Sequence, residues 1–371
     1  MSNHSDSLAS PSPGVRPGGP PSAVAPGSNL RLVAWEVTRN CNLNCVHCRA
    51  AATRGPYTGE LDTPAALSLL DQIAQVGQPI IILTGGEPLL RPDIFEIARY
   101  GTGKNLRMVM APNGTLITKA VAEKMADAGI MRISVSLDGA TRETHDTFRG
   151  VNGSFDGALN GLQLAREAGI EFQINTTITQ ANLDEIERIQ DLAVELGAAA
   201  HHIFLLVPTG RGKYIVDQEI NAEEYERTLN WFYDRSKTTP MQLKATCAPH
   251  YYRILRQRSK DEGITLSMKT HGMDAVTRGC LGGTSFCFIS HRGVVQPCGF
   301  LHLNCGDITQ SSFADVWKNS KHFLTLRDYS NLKGKCGKCE YKAVCGGCRA
   351  RAFEATGDYL AEEPLCSYVP T

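Results

Sequence analysis

The chain has 371 residues, a length that accommodates two domains and a tail. Its 38 basic residues are balanced by 38 acidic residues, so no bulk charge attracts it to nucleic acid or to an anionic membrane. Apolar residues make up 42% of the sequence, but the longest apolar runs, such as Ile80–Leu83, fall far short of the ~20 residues that span a bilayer. We therefore expect a globular protein without a transmembrane helix.

The N-terminus contains the Pro/Gly/Ser-rich run SPSPGVRPGGPPSAVAPGS, which cannot bury enough apolar surface to fold. We predict that residues 1–29 form a disordered tail, with a targeting role as the alternative. This tail has no apolar segment of the kind that directs export, so we expect a cytoplasmic protein. In a reducing compartment, thirteen cysteines indicate metal or redox chemistry rather than disulfides.

Strand-like and helix-like segments alternate over residues 31–231. The predicted strands are Leu32–Val37, Ile80–Leu83, Arg107–Met110, Arg132–Leu137, Phe172–Ile178 and His202–Val207. The predicted helices are Thr63–Gly77, with Thr63 as N-cap, Ile94–Tyr100, Lys119–Ala128, Phe155–Ala168 and Leu183–Leu196. Six such units predict an α/β fold, an open (β/α)6 partial barrel over residues 30–240. We expect a bridging segment over 241–279 and a cysteine-rich domain over 280–371.

The first chemical signal is a loop with the spacing Cys41-x3-Cys45-x2-Cys48 after the first strand. Cysteine thiolate is the usual ligand of a [4Fe–4S] cluster, and three closely spaced cysteines would leave one of the four irons open. A zinc site, or a closed cluster with a distant fourth ligand, is the alternative. His47 lies within the motif, where a variable spacer residue is expected.

The second signal is the turn Gly85-Gly86-Glu87 after the second strand. Glycines let the backbone approach a small ligand closely, and the glutamate offers an acceptor for an ammonium group. A tight turn with an exposed glutamate is the alternative. In parallel sheets the chemistry gathers at the carboxyl ends of the strands, where both the turn and the cysteine loop are predicted to lie.

Together the two motifs resemble the radical S-adenosylmethionine (SAM) superfamily. The resemblance implies that Cys41, Cys45 and Cys48 ligate a [4Fe–4S] cluster whose open iron binds the amino and carboxylate groups of SAM. Electron transfer from the reduced cluster would then release a 5′-deoxyadenosyl radical. The positions that match SAM contacts are Gly85, Gly86, Glu87, Ser136 and Asn175. Asp138 either joins them or caps a turn.

Eight further cysteines form a second group: Cys280, Cys287, Cys298, Cys336, Cys339, Cys345, Cys348 and Cys366. The spacing C-x12-G-x4-C resembles the SPASM extension of radical SAM enzymes, which houses auxiliary clusters. One departure is the C-x2-C ending at Cys348, where many members have C-x3-C. Two C-x2-C pairs also describe a zinc ribbon, which is the alternative.

The SPASM resemblance implies one or two auxiliary [4Fe–4S] clusters. A nearer cluster would be held by Cys280, Cys287, Cys298 and Cys348. A farther cluster would be held by Cys336, Cys339, Cys345 and Cys366. Cys247 and Cys305 fall outside the pattern and are interpreted as buried free cysteines.

The substrate class is indicated by resemblance alone. The stretches WEVTRNCNLNCVHCRAAA, HHIFLLVPTGRGK, KATCAPHYYRILRQR and RGCLGGTSFCFIS resemble radical SAM heme b synthases, the Fe-coproporphyrin III decarboxylases of the siroheme-dependent heme pathway. This resemblance implies an iron-porphyrin substrate, two of whose propionates become vinyl groups. It also implies an external one-electron reductant of the flavodoxin or ferredoxin type.

Propionates require cationic or hydrogen-bonding partners. The candidates are His201, His202, Arg211, Lys213, His250, Tyr251, Tyr252 and Arg253. For Arg253 a surface ion pair is the alternative, and for the tyrosines it is core packing. A histidine among them could also ligate the substrate's iron.

Three other functions stay open. A related tetrapyrrole enzyme removes the acetate side chains of didecarboxysiroheme. A peptide-modifying SPASM enzyme often carries a leader-binding module, which residues 1–29 cannot provide. A non-catalytic multi-cluster electron carrier would have no use for the SAM motifs.

Overall fold

The computed structural model describes residues 29–371, so the predicted tail lies outside the described residues except for Asn29. Within that range ten strands form one sheet. They are β1 Leu32–Thr38, β2 Ile80–Gly85, β3 Arg107–Met110, β4 Arg132–Ser136, β5 Glu171–Ile178, β6 Ala200–Leu205, β7 Gln242–Thr246, β8 Phe286–Ile289, β9 Val294–Gln296 and β10 Gly306–Asp307. Their order along the sheet is β10-β9-β8-β1-β2-β3-β4-β5-β6-β7.

Helices connect most of these strands. They are α1 Thr63–Val76, α2 Ile94–Gly103, α3 Lys119–Asp127, α4 Arg142–Arg149, α5 Ser154–Glu167, α6 Ile186–Glu195, α7 Ala222–Ser236, α8 His250–Asp261, α9 Met268–His271, α10 Phe313–Asn319, α11 Lys321–Arg327, α12 Gly334–Lys338 and α13 Arg349–Thr356. The N-cap of α1 is Asp62 rather than the predicted Thr63, because the Asp62 carboxylate accepts the backbone N–H of Ala65 at 2.9 Å. Among residues 29–371, no helix combines the length and the apolar character that crossing a bilayer requires.

The strands from β8 through β1 to β7 are parallel, whereas β9 runs antiparallel to both of its neighbours, β8 and β10. The six predicted strands are present as β1 to β6 and lie in chain order, which confirms the predicted α/β fold. A seventh parallel strand, β7, was not predicted and lies in the expected bridging segment. β8 belongs to the cysteine-rich region and pairs with the free side of β1. The barrel and the cysteine-rich region therefore share one sheet.

The two faces of the sheet differ in character, as β5 shows. Phe172, Ile174 and Ile178 are buried, whereas the alternating Gln173 and Asn175 are half-buried. The buried face packs on the helices and forms the main core. We call the opposite side of β4 to β7 the inner face. It carries the half-buried residues Ser134, Ser136, Gln173, Asn175, His202 and Lys244.

Candidate functional site

The three cysteines of the N-terminal loop lie together directly after β1. Cys41 and Cys45 are 7% and 8% exposed and pack with Cys48 in one small cluster. Backbone N–H groups of Leu43 and Ala52 donate to the sulfurs of Cys41 and Cys48, each at 3.4 Å. Hydrogen bonds to sulfur favour the thiolate form that iron requires. The loop is therefore arranged to present three thiolates.

The turn after β2 packs directly on this loop. The backbone N–H of Gly86 donates to the carbonyl of Thr38 at 2.8 Å, and that of Glu87 donates to the carbonyl of Asn40 at 2.7 Å. A β-carbon at Gly85 or Gly86 would overlap these same carbonyl oxygens. The two glycines are thus required because the turn and the cysteine loop approach so closely.

Glu87 is completely buried and not exposed as the alternative had it. Its carboxylate accepts the backbone N–H of Leu89 at 3.0 Å and of Asn113 at 2.6 Å. Burial raises the pKa of Glu87 to about 7 despite these two hydrogen bonds. Because a carboxylate has about four lone-pair sites and two are used, Glu87 retains capacity for about two more donors.

Arg149 is a loop neighbour that the sequence did not reveal. It lies at the end of α4, where its guanidinium donates to the sulfur of Cys45 at 3.6 Å and forms an ion pair with buried Asp138. Asp138 also accepts the backbone N–H of Thr177 at 2.7 Å. Asp138 therefore positions Arg149 beside the cysteine loop.

Arg211 contacts the cysteine loop and holds it in place through hydrogen bonds. Its guanidinium donates to the carbonyls of Cys45 at 2.8 Å and Ala52 at 2.7 Å. The preceding Gly210 has a positive φ of 56° and lies against the carbonyl of Cys48. The side chain of Lys213, two residues after Arg211, is 58% exposed and pairs with Glu354. Neither side chain is therefore placed to hold a substrate in this structure.

Glu36, on β1, joins the loop to the cysteine-rich region. It is completely buried, pairs with Arg49 at 3.0 Å and is hydrogen-bonded to His291 at 2.6 Å. Burial would raise the pKa of Glu36, but His291, Arg49 and Arg39 outweigh it and lower this pKa to about 2. Glu36 is thus a buried anion held by both regions.

Four C-terminal cysteines surround one pocket with an empty volume of about 380 Å³. They are Cys336, Cys339, Cys345 and Cys366. Backbone N–H groups donate to three of the sulfurs at 3.3 to 3.4 Å, on Cys336, Cys339 and Cys345. His250 and Arg253 also line the pocket. The structure thus brings together the four cysteines predicted for the farther cluster.

The predicted nearer group is brought together only in part. Cys298 has Cys280 and Cys348 as charged neighbours, and burial followed by these two thiols raises its pKa to about 12. Cys287 lies elsewhere, completely buried on β8 within the main core, with Cys305 as its charged neighbour. The structure therefore does not place Cys287 beside the other three cysteines of the predicted group.

The cysteine groups can be compared with the ligand sets of zinc and of iron–sulfur clusters. Zinc needs four ligands within about 2.3 Å of a single centre. A [4Fe–4S] cluster has a thiolate on each of several irons, so its ligands stand farther apart. Among residues 29–371, no three cysteine, histidine, aspartate or glutamate side chains lie close enough together to hold one metal ion.

Comparison with known proteins agrees with this interpretation. Residues 35–193 match the model of the Radical SAM superfamily, and residues 280–349 match SPASM, an iron–sulfur cluster-binding domain. The chain is 56% identical over 351 residues to an AdoMet-dependent heme synthase of Nitratidesulfovibrio vulgaris, covering 94% of this chain and 96% of that relative. The chain is a radical SAM enzyme with a SPASM domain. These domains bind [4Fe–4S] clusters and SAM.

Two further likenesses place this radical SAM enzyme among its relatives. It is 32% identical over 357 residues to an Fe-coproporphyrin III synthase of Methanosarcina barkeri, covering 90% of this chain and 87% of that one. In fold it resembles SuiB of Streptococcus suis bound to S-adenosylmethionine, with a TM-score of 0.72 and 17% identity, covering 92% of this chain and 78% of SuiB.

The inner face of this radical SAM enzyme carries the predicted SAM contacts on β4 and β5. Ser136 and Asn175 are direct partners in the β4–β5 register. The side chain of Gln173 donates to Asn175 and is hydrogen-bonded to His202, both at 3.0 Å. Lys244 is the register partner of His202. Gln173 and Lys244 were missed because neither belongs to a motif.

The other substrate candidates lie away from the inner face. His201 points into the core, where it is hydrogen-bonded to Thr176 at 2.9 Å. Tyr251 and Tyr252 are buried between α7 and α8. Arg253 is 4% exposed and forms an ion pair with the partly exposed Glu226, so the ion pair of the alternative is present but its arginine is buried. For the two tyrosines the packing alternative describes the structure, and of the eight candidates His202 lies on the inner face.

Proposed function

We propose that this radical SAM enzyme oxidatively decarboxylates two propionates of Fe-coproporphyrin III to vinyl groups, yielding heme b. The observation that carries the proposal is the 56% identity to an AdoMet-dependent heme synthase over nearly the whole of both chains. Identity to the Fe-coproporphyrin III synthase is only 32%. The proposal therefore groups this chain with the AdoMet-dependent heme synthases.

SAM bound at the reduced N-terminal cluster supplies a carbon-centred radical that removes a hydrogen atom from substrate. Cys41, Cys45 and Cys48 would hold this cluster. Arg149 and Arg211 keep their loop in place by contacts to Cys45. Gly85 to Glu87, Ser136 and Asn175 would hold SAM, since the turn Gly85 to Glu87 contacts the cysteine loop and Ser136 and Asn175 are register partners on the inner face.

The substrate propionates would meet His202 and Lys244 on the inner face. Burial is the main cause that lowers the pKa of Lys244. It also lowers the pKa of His202 to about 3, which leaves this imidazole neutral and able to hydrogen-bond. A propionate carboxylate beside Lys244 would favour the charged ammonium and compensate for its burial. These two residues thus suit an anionic substrate better than a neutral one.

The reaction must also dispose of an electron. Removal of a hydrogen atom from the β-carbon of a propionate, followed by loss of CO2 and one electron, leaves a vinyl group. A cluster held by the C-terminal cysteines would accept this electron; Cys298 closely follows β9, which joins the barrel sheet through β8 and β1. A flavodoxin- or ferredoxin-type protein would reduce the N-terminal cluster.

The proposal is tested by product analysis. Anaerobically reconstituted enzyme is incubated with Fe-coproporphyrin III, SAM and dithionite, and the tetrapyrrole is analysed by mass spectrometry. We expect a mass loss of two formic-acid equivalents, with 5′-deoxyadenosine formed in step. Samples without SAM should show neither product.

Parallel incubation with didecarboxysiroheme separates the nearest alternative. Turnover of didecarboxysiroheme without any change in Fe-coproporphyrin III would overturn the proposal and select acetate removal. SAM cleavage with no change in either tetrapyrrole would favour a peptide substrate. No SAM cleavage by cluster-loaded protein would favour an electron carrier.

A further inference from the structure

The position of Cys287 leaves the nearer auxiliary cluster one ligand short. On β8, Cys287 is the register partner of Val33 and is 0% exposed. The next residue, Phe288, points to the opposite side, where its ring lies against Gly299 and Arg49. Because successive side chains of a strand alternate, Cys287 faces the helix-covered core, away from Gly299 and its neighbour Cys298.

The surroundings of Cys287 are those of a core thiol. Its cluster includes Val295, Phe313, Trp317 and Phe323, together with the second unassigned cysteine, Cys305. Burial, and then Cys305, raises the pKa of Cys287. Apart from Cys305 and Arg327 the surroundings of Cys287 are apolar, and they lack Cys280, Cys298 and Cys348, which is consistent with a protonated, packed cysteine.

The surroundings of Cys247 contain the three cysteines that the surroundings of Cys287 lack. It follows β7 directly and packs in one cluster with Cys298, Cys348 and Leu301. Burial, and then the charges of Cys348 and Cys298 and, more weakly, Cys280, raises the pKa of its thiol. All three remaining members of the nearer group therefore lie around this one cysteine, which the spacing pattern leaves out.

The backbone of Cys247 is held in an unusual conformation. Its φ is +55°, which non-glycine residues seldom adopt. Its carbonyl accepts the Tyr225 hydroxyl at 2.9 Å and both terminal nitrogens of Arg351 at 3.3 Å. Arg351 is 1% exposed and also donates to the carbonyl of Leu206 at 2.8 Å. Such strain persists only where the surroundings fix it, and here they fix the direction of one thiol.

We propose that Cys247, and not Cys287, is the fourth ligand of the nearer auxiliary [4Fe–4S] cluster, beside Cys280, Cys298 and Cys348. The strained backbone turns the thiol toward the other three, and the buried cation of Arg351 lies beside Cys348, where the negative charge of a four-thiolate cluster would need compensation. Cys287 and Cys305 then form a pair of structural core thiols. The assignment does not depend on which tetrapyrrole is the substrate.

The test compares iron content and spectra of single variants of the full chain. Wild-type protein, anaerobically reconstituted with ⁵⁷Fe and sulfide, should hold about twelve irons if three cubanes form. For Cys247→Ala we expect either about eight irons, or about eleven with the EPR signal of a [3Fe–4S] cluster after mild oxidation. For Cys287→Val and Cys305→Val, which keep the core apolar, we expect wild-type iron content and wild-type Mössbauer spectra.

A second variant separates ligand loss from backbone disturbance. Cys247→Ser keeps a β-substituted residue at the same strained position but offers a hydroxyl to iron, so it should retain more iron than Cys247→Ala and shift the EPR spectrum of the reduced protein. Far-UV circular dichroism checks that every variant is folded. Unchanged iron and spectra in Cys247→Ala would overturn the proposal, and so would the loss of about four irons from folded Cys287→Val.

Discussion

The two cysteine-bearing regions differ in where their ligands come from. The N-terminal loop supplies three cysteines within Cys41–Cys48, and the neighbours Gly86 and Arg211 pack against that one loop. In the C-terminal region Cys298 lies near Cys280 and Cys348, which are far apart along the chain. Spacing therefore describes the loop well, whereas the C-terminal groups are defined by the tertiary fold.

The sharpest way to break this comparison is to remove one cysteine from each region. Cys45→Ala should abolish the release of 5′-deoxyadenosine from SAM, because the loop has no other thiol to replace it. Cys366→Ala should lose about four irons but still cleave SAM, because its pocket lies in the other region. Both are measured in anaerobic assays with dithionite. Persistent cleavage by Cys45→Ala would mean that the loop does not hold the SAM cluster.

A second test concerns the buried anion that the two regions share. Glu36→Gln leaves the partly buried Arg49 without its anionic partner and should lower the free energy of unfolding by about 3 kcal/mol. Urea unfolding at neutral pH measures the loss. The matched control is Glu171→Gln, since Glu171 pairs with Arg132 with its side chain 60% exposed, and should cost at most about 1 kcal/mol. Equal losses of unfolding free energy in both variants would show that Glu36 stabilises the fold no more than an exposed ion pair does.

The pH dependence of this effect has a definite sign. The pKa of Glu36 is lowered from 4.5 to about 2 by folding, so its stabilising contribution is complete above pH 4.5 and is lost as pH falls toward 2. The difference in unfolding free energy between wild type and Glu36→Gln should therefore become smaller as the pH falls toward 2. A difference in unfolding free energy that does not change with pH would show that Glu36→Gln acts through packing and not through the lost charge.

The smallest expected effect concerns Arg211, whose hydrogen bonds hold the N-terminal loop in place. Arg211→Met removes two hydrogen bonds to loop carbonyls, contacts that are worth about 1.5–3 kcal/mol each when the donor is charged. We expect roughly tenfold slower SAM cleavage with the iron retained, because a partly displaced loop holds SAM less well. Lys213→Met, which removes an exposed pair on the same segment, should leave the rate unchanged. Equal rates for the two variants would contradict the bracing role.

Much of the barrel could be predicted because its strands are continuous apolar runs. The strand Arg107–Met110 is found with the predicted bounds, whereas the sixth strand begins two residues before the predicted His202. α4 was missed because RETHDTFR is almost entirely polar, and with it Arg149 was missed. A helix held by its caps and by one buried pair has no apolar repeat for the sequence to display.

The candidate site was predictable only where a motif is local. The cysteine loop and the glycine turn were found from spacing, although the glycines contact the loop rather than open space. The roles of His201 and Tyr252 could not be predicted, because a polar residue next to a strand end can face either side of the sheet. The direction of the Cys287 thiol could not be predicted for the same reason, since alternation along β8 decides which side it faces.

The pairing of β8 with β1 has a consequence for synthesis of the chain. The side of β1 that β8 covers stays without a strand partner until Ile289 has left the ribosome, about 250 residues after Thr38. At ~5–20 residues per second this exposes an unpaired strand edge for roughly ten to fifty seconds. Chaperone binding to that edge during translation would protect the nascent barrel from aggregation, and truncation before residue 286 would leave the edge permanently open.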